Sequence, residues 1–305
     1  MEGKLIVTSS PHLRSGVTTR QIMLDVLISL VPCVVAATWI FGFRALLVTV
    51  FCAAVCVLLE FICRLVMKRE QTIGDLSAAV SGVLLALTLP PSIGLAQALV
   101  GCAVAIVVVK QMFGGIGCNF VNPALTARIV MLLSFPTQMT TWTLADGTTT
   151  ATPLGGAEAG LKELFFGTVG GSMGETCAAA ILLGFVYLLA RRVISPTIPV
   201  AFAASAAVFA LILGRPVGFE LLSGGLLFGA VFMATDYTTS PFTFRGKIIY
   251  GVCCGLLTVL IRAFGSMPEG VSYAVVLMNI TVPLIERVTL PRTFGRSGGK
   301  EDVLK

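Results

Sequence analysis

The sequence predicts an all-α integral membrane protein of about ten transmembrane helices in a five-plus-five inverted repeat, several of them short or broken. Three observations lead there. Of 305 residues, 56% are hydrophobic and only 12% are charged, against about a quarter charged in an average soluble domain. So few charges cannot cover a water-facing surface, and the mean hydropathy is +0.96. The apolar residues gather into runs suited to crossing a hydrocarbon core, which takes roughly 20 helical residues. The basic residues fall mostly into alternate connecting segments, as membrane orientation requires.

Taken in order, residues 1–21 form a mixed segment expected to be cytoplasmic. A secretory signal would bring its apolar stretch sooner than "MEGKLIVTSSPHLRSGVTTR" does and follow it with a small-residue cleavage site. The first helix is therefore expected to stay in the mature protein, and His12 is read as an interfacial hydrogen-bonding residue. Apolar spans follow at about 22–41, 45–66, 75–90, 93–112 and 117–135, a first repeat over 22–135. A polar interval, 136–173, precedes spans at about 174–190, 197–213, 220–235, 246–263 and 271–287, a second repeat over 174–287. Residues 288–305 form a tail, also expected to be cytoplasmic.

An even number of spans places both termini on one side. With that side cytoplasmic, the external segments hold only Arg44, Lys162, Arg215 and Arg262, while Arg128 lies within a span and all other Lys and Arg are inside. This is the bias of the positive-inside rule. It places 136–173 outside and accounts for the net charge of +6 without nucleic acid. The nine cysteines contain no C-x-x-C pair, and the chain has one histidine. Cysteines in apolar spans behave as small hydrophobes, so no internal metal centre is expected. Cys118, among glycines near a membrane boundary, is the one placed to contact a cofactor held mostly by another chain.

The halves echo each other. "SGVLLALTLPPS" in the third span matches "SGGLLFGAVFMATDYTTSP" in the eighth, and "NPALTARIVMLL" in the fifth matches "NITVPLIERVTL" in the tenth. Five spans per repeat turn the second half upside down, and such repeats place sites where broken helices meet near the midplane. The polar residues inside spans sharpen this. Arg128 would cost about 2.5–3.5 kcal/mol at the membrane centre, so it is expected to face a cavity, a partner or a ligand, with Asp75 or Asp236 as candidate counter-ions. Asn119 and Asn122 precede it in "GGIGCNFVNPA", a helix start with Pro123 in the first turn; free N–H groups there suit an anion or a polar ring. Glu60, Asp75 and Glu286, near helix ends, are read as structural.

The interval 136–173 contains "TLADGTTTATPLGG", a crowd of hydroxyls behind one aspartate in an otherwise apolar chain. Asp146-Gly147-Thr148-Thr149-Thr150-Ala151-Thr152 fits Asp-x-x-(Ser/Thr)-Gly-Ala-Thr except that Thr150 replaces Gly. That pattern resembles the covalent flavinylation site in membrane components of the Rnf and Nqr redox complexes. "SSPHLRSGVTTRQIMLDVLISLVP", "GDLSAAVSGVLLALTLPPS", "FGGIGCNFVNPALTARI" and "FMATDYTTSP" extend the resemblance over most of the chain, to the RnfD family of the Rnf complex; the NqrB component of the Nqr complex is related.

The resemblance implies covalent FMN, joined through its phosphate to Thr152 by a separate flavin transferase, with Asp146, Thr149 and Ala151 completing the motif. It also implies an electron-carrying component of an ion-translocating ferredoxin:NAD oxidoreductase, coupled to Na⁺ or H⁺ movement. The implied partners are a second flavinylated subunit, iron–sulfur subunits and small membrane subunits. Asn122 and Arg128 are further candidate cofactor-binding residues, and riboflavin is a candidate noncovalent cofactor between the helices. The chain itself has neither a Rossmann fingerprint leading into a suitable helix nor a ferredoxin cysteine run. A channel or transporter of urea-transporter-like architecture, with no redox role, is the alternative, and a scaffold that only assembles other subunits is a third reading.

Overall fold

A computed structural model describes residues 16–143, 148–150, 152–155, 160–265 and 270–291. His12, Asp146 and Ala151 lie outside the described residues. The regular structure of the described residues is helical, apart from a two-residue antiparallel pair of β1 (Trp142–Thr143) and β2 (Thr149–Thr150).

The first helix, α1 (Thr19–Phe41), starts at a capping box in which Thr18 Oγ1 accepts from Gln21 N and Gln21 Oε1 accepts from Thr18 N. It stops at Gly42, whose φ of +80° an L-residue seldom adopts, and α2 (Phe43–Val66) begins directly after. These two helices, with α12 (Phe244–Phe264) and α13 (Val271–Thr289), are long and apolar enough to span a membrane. Away from the helix ends their outward residues are apolar; Trp39 is 89% exposed. Such a surface suits lipid, and the protein is an all-helical membrane protein.

Shorter apolar helices complete it: α3 (Ser77–Leu87), α4 (Leu95–Gln111), α5 (Pro123–Ser134), α8 (Ala178–Ala190) and α9 (Thr197–Ile212). Between α5 and α8 lie α6 (Pro136–Met139), the β pair and α7 (Leu161–Phe166). The segment expected at 220–235 is interrupted. It forms α10 (Val217–Leu222), a bend at Ser223–Gly225, and α11 (Leu226–Phe228), which runs on as a π-wound turn over Gly229–Met233. The second half of α4, Val104–Gln111, is also π-wound. The fifth span begins only at Pro123, because Gly114, Gly115 and Gly117 hold positive φ and keep the preceding stretch out of a helix.

Close helix approach rests on small residues, as expected where lipid removes the hydrophobic drive between helices. A Cβ on Gly255 of α12 would collide with Ser205 Oγ and come within 2.6 Å of Phe202 O on α9. Between α2 and α3, a Cβ on Gly82 would lie 2.7 Å from Cys52 O. All nine cysteines are free thiols, mostly buried among these helices, and no group of residues able to hold a metal ion occurs among the described residues.

The chain beyond α3 leaves the helix through turns, with Thr88 N donating to Leu85 O and Leu89 N to Ala86 O, and its carbonyls are satisfied across the molecule. Gly174 N donates to Leu87 O at 2.7 Å and Met173 N to Leu89 O at 3.1 Å. The start of the second half therefore closes the open end of a broken helix in the first, as buried non-helical backbone at membrane depth requires.

Candidate functional site

The helix α5 carries two polar sites. Its N-cap, Asn122, satisfies the helix end: Oδ1 accepts from Ala124 N at 3.0 Å and Leu125 N at 3.2 Å. Its Nδ2 donates to Met233 O at 3.3 Å, at the end of the π-wound turn. With the Asn279 amide oriented to satisfy both its ends, Asn279 Oδ1 accepts from Asn122 N at 3.1 Å. The paired segments around Asn122 and Asn279 thus meet physically.

Beside Asn122 lies a cavity of about 420 Å³ with mostly apolar walls. Its polar lining includes Asn119, Asn122, Asp236, Thr238, Ser77 and Lys110. Asp236 is held by its own turn, accepting from Thr238 Oγ1 at 3.1 Å and Thr239 Oγ1 at 3.3 Å. Lys110 Nζ sits 3.0 Å from Glu60 Oε1 and donates to Ser77 Oγ at 2.6 Å, while Gln111 Nε2 donates to the same Glu60 oxygen at 2.7 Å. Glu60 is 1% exposed, and its Oε2 has no hydrogen-bond partner among the described residues. Hydropathy alone puts Lys110 at a span end. The π winding of α4 turns both Lys110 and Gln111 inward, and local sequence carries no clear sign of that. Asp75 and Glu286 have the structural tasks expected of helix-end residues: Asp75 accepts from Ser77 N, and Glu286 from Phe242 N.

Arg128 lies about 9 Å further along α5 by helical rise. It is buried, and its partner is neither Asp75 nor Asp236. It makes an ion pair with Glu175, and Nη2 donates to Ser172 Oγ at 3.1 Å. The expected counter-ions are replaced because α5 packs against the 172–175 turn, a tertiary contact invisible in local pattern.

That turn also meets Thr152. A small cavity of about 20 Å³ is lined by Thr152, Leu154, Ser172, Glu175, Leu222 and Gly224, among others. The hydroxyl-rich segment is therefore divided: Thr149 is exposed, but Thr152 is buried, at 9% exposure. A second buried pair adjoins. Arg262 of α12 donates from Nη1 to Glu220 Oε2 at 2.9 Å and from Nη2 to Ser223 O at 3.0 Å, and Arg215 lies 2.7 Å from Glu220 Oε1. Nothing in the sequence pattern singles out Glu220 or its pairing with Arg262. Of the predicted residues, Thr152 and Arg128 share one neighbourhood through Ser172 and Glu175, whereas Asn122 belongs to the other cavity.

Comparison with known proteins gives a consistent picture. The chain is 44% identical to the D component of the Na⁺-translocating ferredoxin:NAD⁺ oxidoreductase complex of Acetobacterium woodii, covering 96% of each chain. It is 37% identical to the D component of the proton-translocating ferredoxin:NAD⁺ oxidoreductase complex of Clostridium ljungdahlii, over 95% of this chain and 96% of that one. It is also 37% identical to the D component of the ion-translocating oxidoreductase complex of Stutzerimonas stutzeri, over 91% and 92%. Residues 6–295 match the family described as NQR2, RnfD, RnfE, and on that near-complete match the chain belongs to this family.

Proposed function

We propose that this chain is the RnfD component of an ion-translocating ferredoxin:NAD⁺ oxidoreductase complex, an electron-carrying membrane subunit that is not catalytic alone. The observation that carries the reading is the 44% identity over 96% of both chains to a protein of that description. One such relative is named for Na⁺ and another for protons, so the coupling ion is either one. Ferredoxin and NAD⁺ are handled by partner subunits, including iron–sulfur subunits and a second flavinylated subunit.

Thr152 carries covalent FMN, attached by a flavin transferase on the outer side of the cytoplasmic membrane. The motif Asp146, Thr149, Ala151, Thr152 supports this. The 20 Å³ cavity beside Thr152 does not fit a flavin, because ligand pockets run to several hundred Å³ (roughly 300–1,000 Å³). The larger cavity has the size for one: its 420 Å³ and mostly apolar walls suit riboflavin, and Asn119, Asn122 and Asp236 would hold its polar groups. A flavin supplies one- and two-electron transfer; the chain's residues bind it, orient it and exclude water.

Ten membrane crossings in two inverted halves fit this reading. On this reading the short α3 and the broken α10–α11 are equivalent elements, and the packing of α1 on α8 and of α5 on α13 supports it. Both termini are cytoplasmic and 136–173 is external. The test is in-gel flavin fluorescence after co-expression with a flavin transferase. Thr152→Ala is expected to lose it and Thr152→Ser to keep part. Undiminished fluorescence on the alanine variant, with no other labelled residue, overturns the assignment.

A further inference from the structure

The disagreement between Thr152 and its surroundings points further. We propose that Thr152 is held closed in the unmodified protein by a dock built from Ser223–Gly225 and two buried arginine–glutamate pairs, and that it is modified only when residues 152–154 leave that dock. The proposal rests on the flavinylation reading for its purpose, but its central test does not.

The dock is a layered contact. Gly224, with φ of +63°, brings its backbone against Leu154: a Cβ there would lie 2.8 Å from Leu154 Cδ1 and 3.2 Å from Arg262 Nη2. Gly225 faces the other pair, where a Cβ would lie 2.6 Å from Glu175 Oε1 and 2.7 Å from Glu175 Cδ. Two adjacent glycines thus let one bend touch the Arg262–Glu220 pair, the Arg128–Glu175 pair and the Thr152 segment together. Each pair fixes its part of the bend: Arg262 donates to Ser223 O, and Glu175 is held by Arg128. Thr152 is buried and lines a small cavity together with Ser172, Glu175 and Leu222, with room for about one water.

Modification makes demands this seat cannot meet. Transfer of FMN to Thr152 forms an Oγ–P bond and breaks the phosphoanhydride bond of a flavin dinucleotide donor. The hydroxyl proton passes to a base of the transferase, and the nucleotide half leaves as a monophosphate. The incoming phosphorus must approach Oγ with a clear line, and the transferred group exceeds the space by an order of magnitude. The segment must open. On its own side, Leu154 against Gly224 is a contact that one truncation loosens, whereas the ion pairs behind stay buried. Glycines here therefore set a gate at Thr152 rather than a flavin pocket.

The experiment compares cysteines at Thr152 and Thr149 in the detergent-solubilised complex, where both faces are open to reagent. A hydrophilic maleimide is added, and the labelled peptide is quantified by mass spectrometry. We expect T152C to react at least tenfold slower than T149C. Leu154→Ala, which loosens the dock without touching either ion pair, is expected to speed T152C at least fivefold and leave T149C unchanged. Equal rates at the two positions in the otherwise unaltered chain overturn the dock, whether or not the Leu154→Ala variant assembles. So does an assembled Leu154→Ala protein with an unchanged T152C rate. With Thr152 intact, Leu154→Ala is expected to gain FMN faster from added transferase; an equal rate overturns the gate. No covalent flavin in either protein would defeat the flavinylation reading, leaving the labelling comparison to decide the dock.

Discussion

Arg128 on α5 and Glu175 on the turn before α8 form a buried ion pair that joins the two halves of the chain. Removing one partner of such a pair strands a charge and costs roughly 3–5 kcal/mol. Arg128→Gln is accordingly expected to lower the yield of assembled complex several-fold. Adding Glu175→Gln should recover at least half of the loss, because two neutral amides can hydrogen-bond. Size-exclusion profiles and thermal melts of the two single variants and the double variant measure this. A double variant as poor as the sum of the singles would remove the pairing argument.

Asn119→Leu tests the larger cavity. It keeps approximate side-chain volume and removes a polar group from the lining. Noncovalent flavin, released by denaturation and counted by chromatography, should fall at least fivefold, while covalent flavin on the polypeptide stays constant. Parallel loss of both flavins would indicate general misfolding instead.

Gly255→Val tests the α9–α12 contact. Overpacking a tight interior costs about 1–3 kcal/mol and more when backbone must move, and here the first obstacles are Ser205 Oγ and the Phe202 carbonyl. Markedly reduced thermal stability is expected, with Gly255→Ala in between. Gly74→Ala, where a Cβ meets nothing within 4 Å, is the matched control. Full stability of Gly255→Val would show that the helices are further apart.

Orientation is tested in intact cells. A cysteine at exposed Thr149 should react with an impermeant reagent from outside, and one at exposed Arg191 only after the membrane is opened. The asymmetry of Lys and Arg is the basis. The reverse pattern would put the Thr152 segment in the cytoplasm.

Much of the fold is legible in hydropathy. The spans expected at 22–41, 45–66, 197–213, 246–263 and 271–287 correspond to α1, α2, α9, α12 and α13 within a few residues, because uniform apolar runs leave few alternatives in lipid. The fifth and eighth spans differ from expectation for one reason. Gly114, Gly115, Gly117 and Gly224 scarcely lower local hydropathy, yet their positive φ breaks the helix. Asn122 as a helix start is legible from its Asn-Pro pair. Glu175 as the partner of Arg128 is not, since it sits in a turn remote in sequence. The burial of Thr152 is illegible for a related reason. Small hydroxyl residues look solvent-exposed by composition, and the surface beside Thr152 comes from segments remote in sequence, among them Ser172, Glu175, Leu222 and Gly224.

The backbone bonds from Met173 and Gly174 to the carbonyls of Leu89 and Leu87 bear on how the protein is made. A ribosome delivers the first half to the bilayer while residues 173 and 174 are still unsynthesised. During that interval the open end past α3 exposes polar carbonyls in a setting where each unsatisfied one costs several kcal/mol. The first half must therefore wait in an incompletely inserted form, with that stretch near the interface or guarded by insertion machinery. It settles only when the polypeptide's second half arrives to close it. A chain terminated before residue 173 would remain in that waiting form, a natural substrate for membrane proteases.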